Sequence, residues 1–577
     1  MQTAGVRGHD TETDPGEILT PDDSYCELEL NMKITKRKKN PPLKYIFLFT
    51  CGLMLISSTV AAAGSEEKQA PGRSMAQQAT KSQNIWWTTD HSKHEVLQKD
   101  FASGDELTQA CISCHSEAEK QFHKTIHWTW LADPSDKKRE YGKAGNSLNN
   151  FCISTNKTDD KGCLSCHPGW GTSTESRVNC LVCHSQKDMN FDEAIADIQG
   201  FLKEGDEESR EIAREIQAEL RNAAQDLGLP ARKNCGSCHF YGGGGDGVKH
   251  GDLDTSLAKP SKTLDVHMGV DGQNFTCTRC HTTSLHNISG RVYTRPAATD
   301  RKSLVEDDLT KKITCESCHT TQPHKSGKKM NEHTDKVACQ SCHIPHFARV
   351  NPTKMSWDWA QSGKLKDGKK YKTKDEFGKY DYMSIKGQMK WAKNVKPEYF
   401  WYNGVIKSVT AKDKIDPAGI VKVSWPAGDR KDPNSRIYPF KVHRGNQPYD
   451  KVNQTLLMPL LSGNKGYWNT LDWDEALTVG QKSMELPFSG EFDFVQTTYV
   501  FPITHMVAPK DNSLSCKECH SRTDSRLANL KGFYMPGRDG HGILNYAGWG
   551  AVFASLFGVL IHALGRVFSK GNGRKEE

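Results

Sequence analysis

Three apolar patterns interrupt a chain that is otherwise polar. Residues 46–56 form one uninterrupted apolar run, and residues 547–567 form a second, longer one. Between them, residues 207–227 place apolar side chains four positions apart among charged ones, which predicts an amphipathic helix that ends before Gly228 and Pro230. Elsewhere glycine, proline and charged residues break the apolar segments, so we expect short helices and loops.

The N-terminal apolar run has the features of an export signal. Basic residues follow Met32, the apolar run comes next, and residues 61–63 are small alanines of the kind that precede a cleavage site. We therefore expect translation to start at Met32 and a signal peptide to occupy residues 32–63. The mature chain would begin at Gly64, with residues 1–31 as a start-site artefact or a disordered tail.

The C-terminal apolar run is long enough to cross the ~30 Å hydrocarbon core of a bilayer. Tyr546 and Trp549 mark one interface and basic residues follow the other, which predicts a cytoplasmic tail and a periplasmic body. Residues 541–577 would then anchor the protein at the periplasmic face of the inner membrane. His562 ends a stripe of small residues in this helix, so it either reaches the interface or marks a contact with haem b or a quinone.

Cysteine supplies the chemical signal. The pattern CxxCH uses sixteen of the nineteen cysteines. Two thiols three positions apart can each bond a vinyl group of one haem while the adjacent histidine binds the iron, so the sequence predicts eight c-type haems. The first cysteines are Cys111, Cys163, Cys180, Cys235, Cys277, Cys315, Cys339 and Cys516; the second are Cys114, Cys166, Cys183, Cys238, Cys280, Cys318, Cys342 and Cys519; the histidines are His115, His167, His184, His239, His281, His319, His343 and His520.

The density of these motifs predicts the fold class. Seven of them fall between Cys111 and His343, too close together for seven separate apolar cores. We expect a periplasmic domain over residues 64–540 that is mainly α with extensive irregular loops, built around the haems. Residues 344–515 contain no CxxCH and are rich in Trp and Tyr, and we expect them to form a surface excursion that packs back on the haem core.

The net charge does not indicate a nucleic-acid partner. The chain carries a formal charge of +7. Each haem brings two propionates, so eight haems would reverse the sign of the charge. A local positive field that attracts an anionic substrate is still compatible with this balance.

The ligand opposite each CxxCH histidine decides what a haem can do, because two strong ligands favour electron transfer and a displaceable one favours substrate binding. Twelve further histidines lie within residues 64–540, enough for a conduit with two histidines on every iron. As distal ligands we expect His127, His250, His267, His286, His324, His333 and His505. The sequence leaves His91, His94, His123, His346 and His443 undecided.

Four consecutive glycines follow the fourth CxxCH and precede Asp246, Lys249 and His250. Glycine lets the backbone approach a flat porphyrin. A lysine amine can bind iron when burial disfavours its charged form. Spacing alone favours an ordinary surface lysine at Lys249, and the missing GK[ST] ending argues against a phosphate-binding loop.

Over residues 86–539 the chain resembles the octahaem tetrathionate reductase family of c-type cytochromes. The matching segments are KTIHWTW from Lys124, NNFC from Asn149, CHFYGGGGDGVKHGDLD from Cys238, DVHM from Asp265, VACQSCHIPHFAR from Val337, YPFKVHRGNQPYD from Tyr438, and PITHMVAPKD before the last CxxCH. The resemblance implies that the haem at the second CxxCH is catalytic and takes Lys249 in place of a distal histidine. It also implies that Asp246, Asn149 and Cys152 line its pocket. The apolar C-terminal helix and the lack of a lysine after CLSCH depart from the family pattern.

These observations predict a membrane-anchored periplasmic reductase with eight c-type haems. A quinol-oxidising membrane partner would supply electrons, and a small anionic or nitrogenous substrate would receive them at the haem with Lys249. Tetrathionate, a nitrogen oxyanion such as nitrite, and hydroxylamine all fit this description. The alternatives are a non-catalytic electron conduit and a hydroxylamine-oxidising enzyme.

Overall fold

The computed structural model describes residues 89–131, 141–155, 165–171, 177–290, 314–325 and 327–569. The predicted signal peptide, the tail that precedes it, the basic C-terminal tail and Cys163 lie outside these residues. The helices are α1 Gly104–Ile112, α2 Ala118–Phe122, α3 Ile126–Thr129, α4 Leu181–His184, α5 Phe191–Glu204, α6 Glu207–Gln225, α7 Arg232–His239, α8 Cys315–His319, α9 Lys328–His333, α10 Cys339–His343, α11 Tyr467–Thr470, α12 Trp473–Ser483, α13 Cys516–Cys519 and α14 Gly542–Ser569. The strands are β1 Thr283–Ser284, β2 Asn287–Ile288, β3 Thr353–Asp358, β4 Leu365–Lys366, β5 Lys369–Lys370, β6 Lys372–Lys374, β7 Tyr380–Met383, β8 Gly387–Ala392, β9 Glu398–Tyr402, β10 Ile406–Ser408, β11 Val421–Lys422, β12 Ser424–Pro426, β13 Arg436–Asp450, β14 Thr455–Leu456 and β15 Phe492–Pro502.

Short helices carry most of the CxxCH motifs. Helices α4, α7, α8, α10 and α13 each contain all or most of one motif. A single helical turn brings side chains three and four positions apart onto one face, so both cysteines and the histidine can face the same porphyrin. This local geometry explains why a CxxCH rarely needs a longer element.

The predicted amphipathic helix is confirmed as α6. The carboxylate of Asp206 accepts the amide of Ser209 at 2.8 Å and caps its N-terminus. Its apolar face, which includes Leu220, packs with Ile198 of α5 in one buried cluster. This pair of helices supports the N-terminal part of the haem core.

The prediction of a mainly helical fold is wrong for the region between the seventh and eighth motifs. Nine of its strands form one mixed sheet, ordered β11-β15-β13-β3-β8-β7-β6, with β9 and β14 also pairing with β13. Strand β13 runs antiparallel to β15 from Phe440 to Asp450 and parallel to β3 at Arg444 to Asn446. Residues 437–443 of β13 are buried without alternation, so they do not show the polar and apolar period that identifies a half-exposed strand.

The sheet supports two loops that matter for function. Phe501 and Tyr499 of β15 share a buried cluster with Leu148, Phe151 and Val248. These last three residues flank the predicted site residues Asn149, Cys152 and Lys249. The sheet is therefore the platform on which the candidate site is assembled.

Helix α14 is exposed along its whole length and has a mean hydropathy of 1.8 over its most apolar window. Its length and composition are sufficient for crossing a membrane. The prediction of an apolar helix at residues 547–567 is confirmed by its bounds, while the membrane anchor itself stays a prediction.

Candidate haem-binding and catalytic sites

We number the eight CxxCH motifs as sites 1 to 8 in chain order. Among the described residues, seven CxxCH histidines face the ring of a second histidine. The ring centroids are 6.2 Å apart for His91 and His115, 6.4 Å for His184 and His286, 6.1 Å for His127 and His239, 6.4 Å for His281 and His505, 6.0 Å for His267 and His319, 6.4 Å for His324 and His343, and 6.1 Å for His333 and His520. Imidazoles bound to opposite sides of one metal through bonds of about 2 Å have centroids about 6 Å apart. The seven pairs therefore have the separation that a shared iron requires.

Hydrogen bonds at Nδ1 orient many of these rings. At the CxxCH histidines, His184 donates to Gly228 O at 2.9 Å, His281 to Ser289 O at 2.8 Å and His520 to Pro536 O at 2.7 Å. Among the partners, His286 bonds Gln121 Oε1, His324 bonds Asn331 Oδ1, His333 bonds Lys329 O and His505 bonds Asp252 Oδ2. These bonds fix the tautomer that leaves Nε2 for the metal. The donor set thus fits covalently attached haem with two histidine ligands.

The thiols of neighbouring motifs lie close together and define an order of sites. Four pairs of thiols each shift the pKa of the other directly, and these pairs join site 1 to site 3, site 2 to site 4, site 4 to site 5, and site 6 to site 7. Electrostatic proximity joins site 3 to site 4, site 5 to site 6, and site 7 to site 8. The motifs therefore follow a line 1-3-4-5-6-7-8, with site 2 attached as a branch at site 4.

Site 2 differs from the other seven. The His167 ring lies 4.6 Å from that of Trp128 and 5.3 Å from that of Trp130. Its Nε2 bonds the carbonyl of Trp128 at 3.1 Å, and desolvation lowers its pKa. Iron binding by His167 would require this hydrogen bond to break. The described residues of site 2 are thus surrounded by tryptophan where the other sites present a histidine pair.

Lys249 approaches site 2 from the glycine loop. Its backbone amide donates to Gly242 O at 3.1 Å, closing a turn. Its Nζ lies 5.9 Å from the centroid of the Phe151 ring. Desolvation, followed by the charge of Lys143, lowers the pKa of Lys249 to about 8, while the nearby Cys166 thiol opposes that shift. The structure thus brings Lys249 beside a site 2 cysteine, with an amine that loses its proton more readily than that of an exposed lysine.

The glycines make room for this side chain. A Cβ on Gly242 would lie 3.2 Å from Lys249 Cδ, and a Cβ on Gly243 would lie 2.9 Å from both Phe151 and Val248. Gly243 also has a φ of +84°, a conformation that favours glycine. The loop packs against the lysine chain and Phe151 in a way that larger residues would disturb.

The other three predicted pocket residues hold local structure. Asp246 accepts the backbone amide and the hydroxyl of Thr255 at 2.9 and 2.6 Å, and the Asn351 amide at 3.2 Å. Asn149 Oδ1 accepts the backbone amide of Cys152 at 2.6 Å. Asn149 and Cys152 therefore form one turn beside Phe151, while Asp246 anchors the glycine loop to the segment that follows it.

The sequence reasoning missed two buried lysines. Lys441 is fully buried and donates to Val248 O, Lys249 O and Thr353 Oγ1 at 2.9, 3.1 and 2.6 Å. Lys354 is 4% exposed, with Nζ 3.5 Å from the ring centroid of Trp357. Desolvation lowers the pKa of Lys441 to about 7 and that of Lys354 well below its usual range. In a sequence, such lysines are indistinguishable from surface lysines.

His91, which the sequence left undecided, faces His115. The role of His250 as a distal ligand stays a prediction. The His250 ring lies 5.2 Å from that of Phe501, and neighbouring site 4 already has His127. Of the other undecided histidines, His123 packs on Trp128 at 4.3 Å, and fully buried His443 bonds Asn150 Oδ1 through Nδ1 at 2.9 Å.

Comparison with known proteins agrees with this donor set. Residues 354–523 match the family model described as bacterial cytochrome c. The crystal structure of octaheme cytochrome c from Shewanella oneidensis is similar, with 39% identity and a TM-score of 0.62 over 76% of this chain and 95% of that one. The chain belongs to the octahaem tetrathionate reductase family of multihaem c-type cytochromes. An uncharacterized protein of Archaeoglobus fulgidus is 22% identical over 287 residues, which are 42% of this chain and 91% of that protein.

Membership of the family confirms the resemblance seen in the sequence. Together with the bacterial cytochrome c match, it means that the chain carries covalently bound c-type haems. The match to the bacterial cytochrome c model spans most of the sheet and site 8, so the sheet that the sequence analysis missed is part of the cytochrome itself.

Proposed function

We propose that the protein is a membrane-anchored periplasmic cytochrome with eight c-type haems that reduces a small anionic or nitrogenous substrate at site 2. The observation that supports this most strongly is the contrast between site 2 and the other seven sites. His167 faces tryptophan, and Lys249 approaches Cys166 from the glycine loop. A lysine amine that can take up a proton and withdraw is a displaceable ligand, whereas a second histidine is not.

Seven histidine pairs suit electron transfer. When bound, the haems supply one-electron transfer at these seven sites and an iron open to substrate at site 2. The protein contributes fixed ring orientations through the Nδ1 hydrogen bonds at His184, His281, His286 and others. Because the line of sites branches at site 4, electrons from either end of the line reach site 2 through site 4.

At site 2 the side chains would manage protons and negative charge. With its pKa lowered to about 8, Lys249 can both hold a proton and release it near neutral pH. Lys441 holds the Lys249 backbone carbonyl at 3.1 Å and so fixes the stem of this side chain. Asp246, which the resemblance assigns to this pocket, bonds Thr255 and Asn351, and these bonds support a positioning role.

Cys152 favours a sulfur substrate. It packs against the buried cluster that contains Phe151, and it interacts electrostatically with Lys354 and Lys386. Lys386 would bring positive charge to the surroundings of Cys152, and positive charge attracts anions such as tetrathionate and nitrite more strongly than neutral hydroxylamine.

Electron paramagnetic resonance of the oxidised holoprotein tests the proposal. Spectra are compared with and without nitrite, hydroxylamine and tetrathionate, in the native protein, in Lys249→Ala, and in Lys233→Ala as a control. Lys233 also lies beside a CxxCH and donates to Gln186 O at 2.6 Å, but it is at site 4. We expect one haem signal to respond to substrate and to change only in Lys249→Ala. Eight unresponsive signals that are the same in all three proteins would instead indicate a membrane-tethered electron conduit.

A further inference from the structure

Site 8 lies at one end of the line of haem sites and is the end that the apolar helix follows. The segment before it is bonded to site 7, with Leu514 N donating to Cys342 O at 2.9 Å and Ala508 N donating to His343 O at 2.8 Å. At the other end, site 1 contacts site 3 through the thiols of Cys111 and Cys180. Site 1 and site 8 thus lie at opposite ends of the line and far apart in the sequence.

The chain between site 8 and α14 is tied to the site itself. The Nδ1–H of His520 donates to Pro536 O at 2.7 Å, and Gly537 packs directly on the His520 carbonyl. Arg538 then donates to Leu527 O at 2.9 Å and Leu530 O at 2.7 Å. Residues 536–537 are therefore held against the CxxCH histidine of site 8, and Arg538 ties them to the segment that precedes them.

This attachment limits how far site 8 can lie from the start of the helix. Gly542 lies six positions after Pro536, and even a fully extended chain of that length spans only about 20 Å. Tyr534 is 58% exposed and its ring lies 6.2 Å from that of His541. Tyr546 and Trp549, near the start of α14, are also exposed, and exposed Tyr and Trp at the end of an apolar helix are typical of the membrane–water interface.

We propose that electrons enter the protein at site 8, from a quinol-oxidising membrane protein that docks beside the start of α14. This inference rests on the proposed membrane anchor but not on the identity of the substrate. From site 8, the route to site 2 runs through sites 7, 6, 5 and 4. Electrons reach sites 3 and 1 only after they have passed site 4.

The test uses membranes of the cells that produce the protein, with a short-chain naphthoquinol as reductant and stopped-flow absorbance of the haems as readout. His333→Met changes the ligand at site 8, and His91→Met makes the same change at site 1. Methionine ligation raises the reduction potential, so electrons are held at the altered site. We expect His333→Met to slow quinol-driven reduction of the remaining haems by about tenfold, which corresponds to about 59 mV for one electron.

His91→Met should slow this reduction less than His333→Met does, because site 1 lies beyond the branch at site 4. Equal rates in the two variants, or a larger slowing in His91→Met, would overturn the inference. A second measurement uses the native protein alone: in rapidly frozen samples, the resonance that His333→Met alters must be the first to disappear. If it disappears last, electrons enter elsewhere. Native protein that dithionite reduces but quinol does not would overturn both the anchor and this inference, while the substrate response of site 2 would still stand or fall by its own test.

Discussion

Replacing Gly242 by alanine should displace Lys249 without straining the backbone. The new Cβ would lie 3.2 Å from Lys249 Cδ and 3.4 Å from Lys249 Cβ. Carbon atoms prefer separations of about 3.5 to 4.0 Å, so the lysine chain must retreat by roughly half an ångström. The position itself does not have the positive φ that would make alanine costly.

The expected magnitude follows from this displacement. Catalytic geometry tolerates errors of about 0.5 Å, and misplacement by about 1 Å can cost roughly a hundredfold in rate. We therefore expect turnover with the preferred substrate to fall by about tenfold, together with a shift of the paramagnetic signal assigned to site 2. Thermal stability should change little. Alanine lowers the entropy of the unfolded chain, which stabilises the folded state by about 0.4 to 1 kcal/mol and offsets the cost of the close contact with Lys249.

Gly244→Ala is the matched control in the same loop. Gly244 has a φ of +86°, and a Cβ there would meet no atom within 4 Å. The substitution should destabilise the protein by about 1 to 2 kcal/mol through backbone strain alone. Its site 2 signal and its KM should match those of the native protein. The claim that Gly242 makes room for Lys249 is wrong if Gly242→Ala behaves like the native protein in both assays. It is also wrong if Gly244→Ala alters the site 2 signal as strongly as Gly242→Ala does.

Three further predictions concern ligation, packing and pH. His91→Ala should remove one bis-histidine signal while the haem content stays at eight, since the thioether bonds remain; an unchanged spectrum would contradict the pairing with site 1. Lys441→Met should lower the free energy of unfolding by about 2 kcal/mol, because two backbone carbonyls lose their hydrogen-bond donor. It should also shift the site 2 signal. An unchanged stability and an unchanged signal would show that Lys441 does not position Lys249. Arg177 lowers the pKa of Glu119, so their ion pair should add about 0.5 to 1 kcal/mol to the free energy of unfolding at neutral pH. This contribution is lost as the pH falls below ~4.5 and through the lowered pKa of Glu119. Thermal melting should therefore show that Glu119→Gln loses less stability below pH ~4.5 than the native protein does.

The haem-binding chemistry was predictable from the sequence because it is local. A CxxCH needs only one helical turn to assemble, and α4, α7 and α10 provide such turns. The amphipathic period of α6 and the apolar run of α14 are also local signals, and both helices lie where they were expected.

The distal ligands could be predicted only in part, because those pairings are not local. His324 lies nineteen positions before its partner, whereas His505 lies more than two hundred positions after His281. Spacing alone could not show that His91 faces His115. Family resemblance supplied Lys249, which composition and spacing left as an ordinary lysine.

The sheet was missed for a different physical reason. Strand β13 has hydrogen-bonded neighbours at its edges, and its residues 437–443 are buried without alternation, so this part of the strand is covered on both faces. It includes Lys441 and His443, both fully buried, which look like solvent-exposed residues in a sequence. Burial of polar groups by tertiary contacts thus concealed both the strand and its part in positioning Lys249.

We propose that site 2 has lysine as its second haem ligand, where the seven other sites have histidine. Near-infrared magnetic circular dichroism of the oxidised holoprotein tests it most directly, because the charge-transfer bands of low-spin haem differ between histidine and amine ligands. We expect the bands of seven bis-histidine haems and one histidine–amine band, which is lost in Lys249→Ala. Eight bis-histidine haems, unchanged by that substitution, would contradict it.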